Sequence, residues 1–223
     1  HFQNPTGITM SLERRKWLME IAGRTGVVII EDDPYVELRY EGAALPSLKS
    51  MDEKGQVIHL GSFSKTISPG LRVGYAIAER EILRMMIIGK QGEDLHTSNL
   101  SQYIVNEYAR TRIEDHIKEI RTLYGRKRDV MLEAMENLLS EHMTWRRPEG
   151  GLFIWAEITG NGNHDTGEIL KEAVKEKVAF IPGAPFFYDG CGKKTMRLNF
   201  SNASRENIEE GINRLAVILR RLY

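Results

Sequence analysis

Two polar clusters in the first third of the chain each follow a short apolar run. Glu31-Asp32-Asp33-Pro34-Tyr35 follows Val27-Val28-Ile29-Ile30, and Gly61-Ser62-Phe63-Ser64-Lys65 follows Val57-Ile58-His59-Leu60. A carboxylate with a phenol three residues on, Asp32 and Tyr35, can grip a heteroaromatic ring through a protonated nitrogen and a neighbouring oxygen. A capped, solvated acidic turn is the plainer alternative. A metal site made by Glu31, Asp32 and Asp33 is a third, weakened because successive strand side chains point to opposite faces. Lys65 is either a surface amine or, behind so apolar a run, a reactive one. Ser62-x-x-Lys65 also matches the serine-lysine motif of acyl-transfer enzymes. Neither Ser-Asp-Asn nor Lys-Thr-Gly accompanies it, and Pro69-Gly70 disfavour a helix through Lys65.

Arg72 stands seven residues after Lys65, next to Pro69-Gly70, with the Ser62 and Ser64 hydroxyls on the same turn. A guanidinium fork with hydroxyls and backbone amides suits a dianion such as phosphate. Arg197, in Met196-Arg197-Leu198-Asn199-Phe200, sits in an apolar strand pattern where a charge needs a partner. An internal carboxylate is the commoner solution; a substrate carboxylate is the other.

The elements that must position these residues follow from periodicity. Asn4-Pro5-Thr6-Gly7 has turn chemistry, and Ser11 caps a helix whose Trp17, Leu18, Ile21 and Ala22 share a face before Gly26. The two apolar runs predict strands buried on both faces, with the polar clusters at their carboxyl ends, where open α/β sheets bind ligands. Residues 71–78 are a third strand. Residues 79–139 read as helical, 113–139 being one long, charged, amphipathic helix. Strands follow at Trp145, 151–158, 178–181 and 195–200, with a helix entered near Asp165. The last helix carries Ile208, Ile212, Leu215, Leu219 and Leu222 as one stripe. The pattern is α/β followed by α+β, and we divide it at 1–112 and 113–223.

Of the 223 residues, 41% are hydrophobic, enough for a buried core, and 31 Lys and Arg balance 31 Asp and Glu. Without a basic block there is no footprint of a nucleic-acid binder or of a polybasic membrane binder. The single cysteine, Cys191, cannot form an internal disulfide, and no apolar stretch is long enough to span a bilayer. A reducing cytoplasm is the expected compartment.

In order, Asn4-Pro5-Thr6-Gly7, Asp32-x-x-Tyr35, Ser62-x-Ser64-Lys65 with Arg72, and Arg197 resemble the class I/II aminotransferases of pyridoxal-phosphate fold type I. Ser-Phe-Ser-Lys-x-x-x-Pro-Gly-Leu-Arg-Val-Gly and Glu-Asp-Asp-Pro-Tyr resemble the branch that holds aminoadipate, kynurenine and aromatic amino-acid aminotransferases. The resemblance implies the C-terminal part of the large domain, with a mixed, mostly parallel sheet covered by helices on both faces. The interdomain helix and a small α+β domain would follow.

It also implies a cofactor, pyridoxal 5'-phosphate, and a reaction that moves an amino group between an L-amino acid and a 2-oxo acid. Lys65 would be the Schiff-base lysine and the proton carrier. Asp32 would pair with the ring nitrogen, and Tyr35 and Asn4 with the phenolic oxygen. Ser62, Ser64 and Arg72 would hold the phosphate, and Arg197, helped by Asn4, the substrate's α-carboxylate. A homodimer without nucleic-acid or membrane contacts is expected, and no metal.

The chain departs from the family at its front. The long segment that precedes Asn-Pro-Thr-Gly in fold type I enzymes is missing, and with it a phosphate turn, an aromatic residue stacked on the cofactor and residues reaching across the dimer. Residues 1–223 alone are therefore expected to be inactive. The competing reading is the aminotransferase-like ligand-sensing domain of a winged-helix transcription regulator.

Overall fold

The computed structural model describes residues 1–159 and 165–222, the last by its backbone alone, so Leu222 of the terminal stripe lies outside the described side chains. The chain divides into two compact units, His1 with Thr9–Ile120 and Phe2–Ile8 with Arg121–Tyr223.

In the first unit, helix α1 (Leu12–Thr25) begins where the Ser11 side chain accepts from the Arg14 amide. It ends at Gly26, whose left-handed φ of 75° lets its N–H return to the Ala22 carbonyl. The expected apolar face is only partly buried: Ala22 is covered, but Trp17 is 57% exposed. Arg15 is buried instead, because its guanidinium group reaches the carbonyls of Met10 and Pro46.

Strands β1 (Ile29–Asp32), β2 (Val57–Ser62) and β3 (Gly74–Ile77) form a sheet in that order. β1 and β2 are parallel, with Glu31 opposite His59 and Asp32 opposite Leu60; β2 and β3 are antiparallel. Asp52 sets the start of β2 by accepting from the Gln56 and Val57 amides and from Lys49 Nζ. The run at 27–30, whose all-apolar pattern predicts a need for cover on both faces, is left as an apolar patch among the described residues: Val27, Val28 and Ile30 are 59%, 49% and 65% exposed. Among the described residues β1 is an edge strand, and the face that bears Ile30 is largely open. Helices α2 (Arg80–Glu93) and α3 (Asn99–Thr111) follow, and α4 (Ile113–Leu139) runs from the first unit into the second.

The second unit is built on an antiparallel sheet of order β4-β5-β7-β6, from β4 (Met143–Trp145), β5 (Phe153–Ile158), β6 (Ile181–Pro182) and β7 (Thr195–Asn199). Alternation gives it two faces. Ile154, Ala156, Ile158, Met196 and Leu198 are buried on one; Phe153, Trp155, Glu157 and Arg197 lie on the other. Helix α5 (Thr166–Lys175) is capped by the Asp165 side chain, and helix α6 (Arg205–Leu222) buries Ile208, Ile212, Leu215 and Leu219. The strand expected over 178–181 shrinks to Ile181–Pro182. Val178 N–H bonds back to the Ala173 carbonyl and Lys177 takes a φ of 60°, so this segment closes α5 rather than joining the sheet. Among the described residues no helix is long and apolar enough to cross a membrane.

Candidate active site

The parallel register of β1 and β2 makes both polar clusters leave the same end of that strand pair. Asp32 is the last residue of β1 and is exposed, and its side chain has no hydrogen bond or ion pair among the described residues. Tyr35, in the turn that follows, is 8% exposed. Ser62 ends β2, and its Oγ accepts from the Ser64 amide at 3.1 Å. The chain then curls on itself: the amides of Ile67 and Ser68 both bond the Phe63 carbonyl, and the Phe63 amide bonds the Val73 carbonyl. Gly61 precedes this turn and lets the Tyr75 ring lie over the strand, where an added Cβ would push that ring aside.

Lys65 stands in the middle of that turn, half-buried, with no hydrogen-bond acceptor and no carboxylate partner among the described residues. Arg72 is exposed at the end of the short 3-10 turn Pro69–Leu71, and its Nη1 donates to the Pro69 carbonyl at 3.2 Å. Its φ of 55° and ψ of 41° put a non-glycine residue in the left-handed region, a strained conformation of the kind that gathers at ligand sites. The first unit thus presents an amine, a carboxylate, a phenol, a guanidinium group and two hydroxyls. The side chains of Lys65 and Asp32 are not consumed by bonds to other described residues.

Behind Asp32, on the opposite face of β1, a buried network ties the strands together. Glu31 accepts from the Leu48 and Lys49 amides at 2.7 and 3.1 Å. It also faces His59 Nδ1 at 3.0 Å and Arg15 Nη1 at 3.7 Å. Asp33 is paired with His1 Nδ1 at 2.6 Å, and burial pushes its carboxyl group above the usual range. The acidic trio does not converge, since Asp32 points away from its neighbours. Ligand atoms of Glu31, Asp33 and His59 do lie within 4.8 Å of one another. Both Glu31 oxygens already accept backbone amides and Arg15 supplies positive charge, so the network is a structural tie compensated within the protein. Sequence reading missed His59 and Arg15; only the strand register brings His59 opposite Glu31.

In the second unit, Asn4 and Arg197 meet directly: Arg197 Nη1 donates to Asn4 Oδ1 at 2.6 Å. The Phe2–Ile8 segment is held close to the start of β5. A Cβ on Gly151 would lie 2.8 Å from Phe2 Cβ, and one on Gly7 would lie 3.2 Å from the Phe153 carbonyl. Gly7 and Gly151 both have positive φ, so close approach and backbone conformation alike require glycine there. The internal ion pair expected for Arg197 is not formed among the described residues. Its guanidinium carbon lies 4.3 Å from the Phe153 ring centroid and 5.7 Å from that of Phe186, and its Nε is buried without an acceptor. The open sheet face supplies aromatic rings where a carboxylate would otherwise be needed.

The family profile for class I and II aminotransferases matches residues 2–215. The chain belongs to this family. It is 43% identical over 220 residues to aromatic-amino-acid aminotransferase 1 of Thermococcus litoralis, covering 98% of the chain and 52% of the relative. Its structure matches that of LysN, the alpha-aminoadipate aminotransferase of Thermus thermophilus complexed with N-(5'-phosphopyridoxyl)-L-leucine, with a TM-score of 0.94 and 40% identity. That match covers 99% of this chain and 57% of LysN. The chain is also 35% identical over 222 residues to the uncharacterized HTH-type transcriptional regulator YisV of Bacillus subtilis, covering 99% of the chain and 45% of the regulator. The fold is that of the fold type I aminotransferases, and the chain spans about half the length of the curated relatives it matches.

Proposed function

We propose that the protein is a pyridoxal-phosphate-dependent aminotransferase that moves an amino group between an L-amino acid and a 2-oxo acid. The observation that carries this reading is Lys65: a half-buried amine without an acceptor among the described residues, in a closed turn at the strand end where Asp32 also emerges. The donor set fits the cofactor group by group. Lys65 matches its aldehyde, Asp32 its ring nitrogen, Tyr35 its phenolic oxygen, and Arg72 with Ser62 and Ser64 its phosphate. Asn4 is assigned to the phenolic oxygen as well. When bound, pyridoxal phosphate supplies an electrophilic carbon for the substrate amine and a protonated ring that takes up the electrons left by the α-proton.

The chain's own residues do the rest. Asp32 holds the proton on the ring nitrogen. Lys65 Nζ takes and returns a proton at the substrate's α-carbon. Arg197, held by Asn4, takes the α-carboxylate in a paired, charge-assisted contact. Residues 1–112 are read as part of the large cofactor-binding domain, and 113–223 as the interdomain helix and small domain. The whole protein is read as a cytoplasmic homodimer without nucleic-acid or membrane contacts from this region. Exposed apolar side chains on α2 and α3, among them Met85, Ile87, Leu100 and Tyr103, are surface of the kind that further chain or a second subunit covers.

Borohydride reduction of the yellow full-length protein, followed by peptide mass spectrometry, is expected to find the cofactor on Lys65. Label on another lysine in a folded sample would overturn the reading. The regulator reading is favoured by YisV-like relatives; it requires the same label on Lys65 but no turnover of any amino acid with a 2-oxo acid.

A further inference from the structure

Arg197 sits on the open face of the second unit's sheet, opposite Trp155 in the β5–β7 register and diagonal to Phe153. Diagonal neighbours in an antiparallel pair are within reach of long and aromatic side chains. The guanidinium carbon uses that reach, lying 4.3 Å from the Phe153 ring centroid. Phe153 is 7% exposed, and its backbone is pressed by the turn at Gly7, so the ring is a fixed surface rather than a mobile one. A second ring, Phe186, lies 5.7 Å from the same carbon and is itself met edge-on by Trp155 at 5.8 Å.

We propose that Phe153 is a positioning residue for the carboxylate-binding arginine, holding the Arg197 guanidinium group by a cation–π contact so that the group stays oriented without an internal carboxylate partner. The inference rests on the proposed role of Arg197. An arginine paired with an internal carboxylate would have to break that pair before it could take a substrate anion. The face of an aromatic ring attracts the cation without competing for its hydrogen-bond donors. Asn4 occupies Nη1, and the buried Nε has no acceptor among the described residues. The ring therefore takes over the charge-compensating task of a carboxylate, while Asn4 sets the rotation of the fork about its axis.

The decisive test varies the ring's electrostatics at nearly constant shape. Phe153 is replaced in the full-length, cofactor-loaded protein by phenylalanine analogues with one, two and three ring fluorines. The dissociation constant of pyruvate, a small 2-oxo acid with little side chain to touch the rings, is measured by calorimetry alongside the melting temperature. Each fluorine draws electron density from the ring face. The dissociation constant is expected to rise stepwise, by about tenfold over the series, with the melting temperature nearly constant. Phe153→Leu should raise KM for amino and oxo acids with kcat little changed, and Phe153→Tyr should restore KM. Pyruvate affinity that stays flat across the fluorine series overturns the proposal, provided Arg197→Ala still weakens binding. If Arg197→Ala itself leaves pyruvate affinity unchanged, the assignment of Arg197 to the carboxylate fails, and the inference built on it with it.

Discussion

Arg197 Nη1 and Asn4 Oδ1 are joined by a 2.6 Å hydrogen bond although 193 positions separate them in the chain. It ties the Asn-Pro-Thr-Gly turn to β7 and fixes one edge of the guanidinium fork. Asn4→Ala is therefore expected to weaken 2-oxo acid binding about three- to tenfold, less than the usual loss of a hydrogen bond to a charged group because the pair is exposed. Titration of the cofactor-loaded protein with a 2-oxo acid checks this. Unchanged affinity would mean that the contact is incidental to carboxylate binding.

Adjacent residues on β1 should respond in opposite ways. Asp32 is exposed and its side chain makes no bond among the described residues, so Asp32→Asn should leave the melting temperature close to that of the parent while cofactor affinity and the visible spectrum change. Glu31 is buried and holds two amides, His59 and Arg15. Glu31→Ala leaves these groups uncompensated and should cost about 3 to 5 kcal/mol of stability. Urea unfolding of both variants separates the two; a large stability loss for Asp32→Asn would contradict the division of faces.

Arg72 combines strain with function. Its left-handed backbone is one that glycine adopts freely, so Arg72→Gly should relieve about 0.5 to 1 kcal/mol of strain while removing the phosphate contact. Melting temperature is expected to hold or rise in the cofactor-free protein and cofactor affinity to fall. A fall in both would show that the side chain supports the fold rather than the ligand.

Asp52 should make the first unit acid-sensitive. Burial alone would raise its pKa, but the Val57 amide, Lys49 and the Gln56 amide outweigh it and bring the pKa down from 3.8 to about 2. A carboxyl group whose folded pKa is depressed contributes stability in full above its unfolded pKa and loses it as pH falls through the folded value. The loss should therefore fall between about pH 4 and pH 2. Asp52→Ala, which strands the two amides that begin β2, should cost about 1 to 3 kcal/mol at neutral pH and remove this acid step. Chemical denaturation at pH 7, 4 and 3 compares the two proteins; an equal acid slope in both would rule Asp52 out as its source.

Much of this protein is written locally. Ser11 and Gly26 delimit α1, the stripe from Ile208 to Leu219 marks α6, and Asp32-x-x-Tyr35 and Ser62-x-Ser64-Lys65 stand at strand ends, because capping, periodicity and motif spacing involve residues close in sequence. The alternation that separates Asp32 from Glu31 is local too. What faces a residue across strands is not. Whether β1 is covered or an edge, that His59 stands opposite Glu31, and that Phe153 rather than an acid compensates Arg197 all depend on which strands pair and in what register. The apolar run before Glu31 therefore shows a need for cover but not which face lacks it, and Arg197 taken by itself leaves open an internal or a substrate carboxylate without revealing the ring it rests on. A one-residue change in register would turn every side chain of a strand to the other face, so these partners exist only once the sheets are assembled.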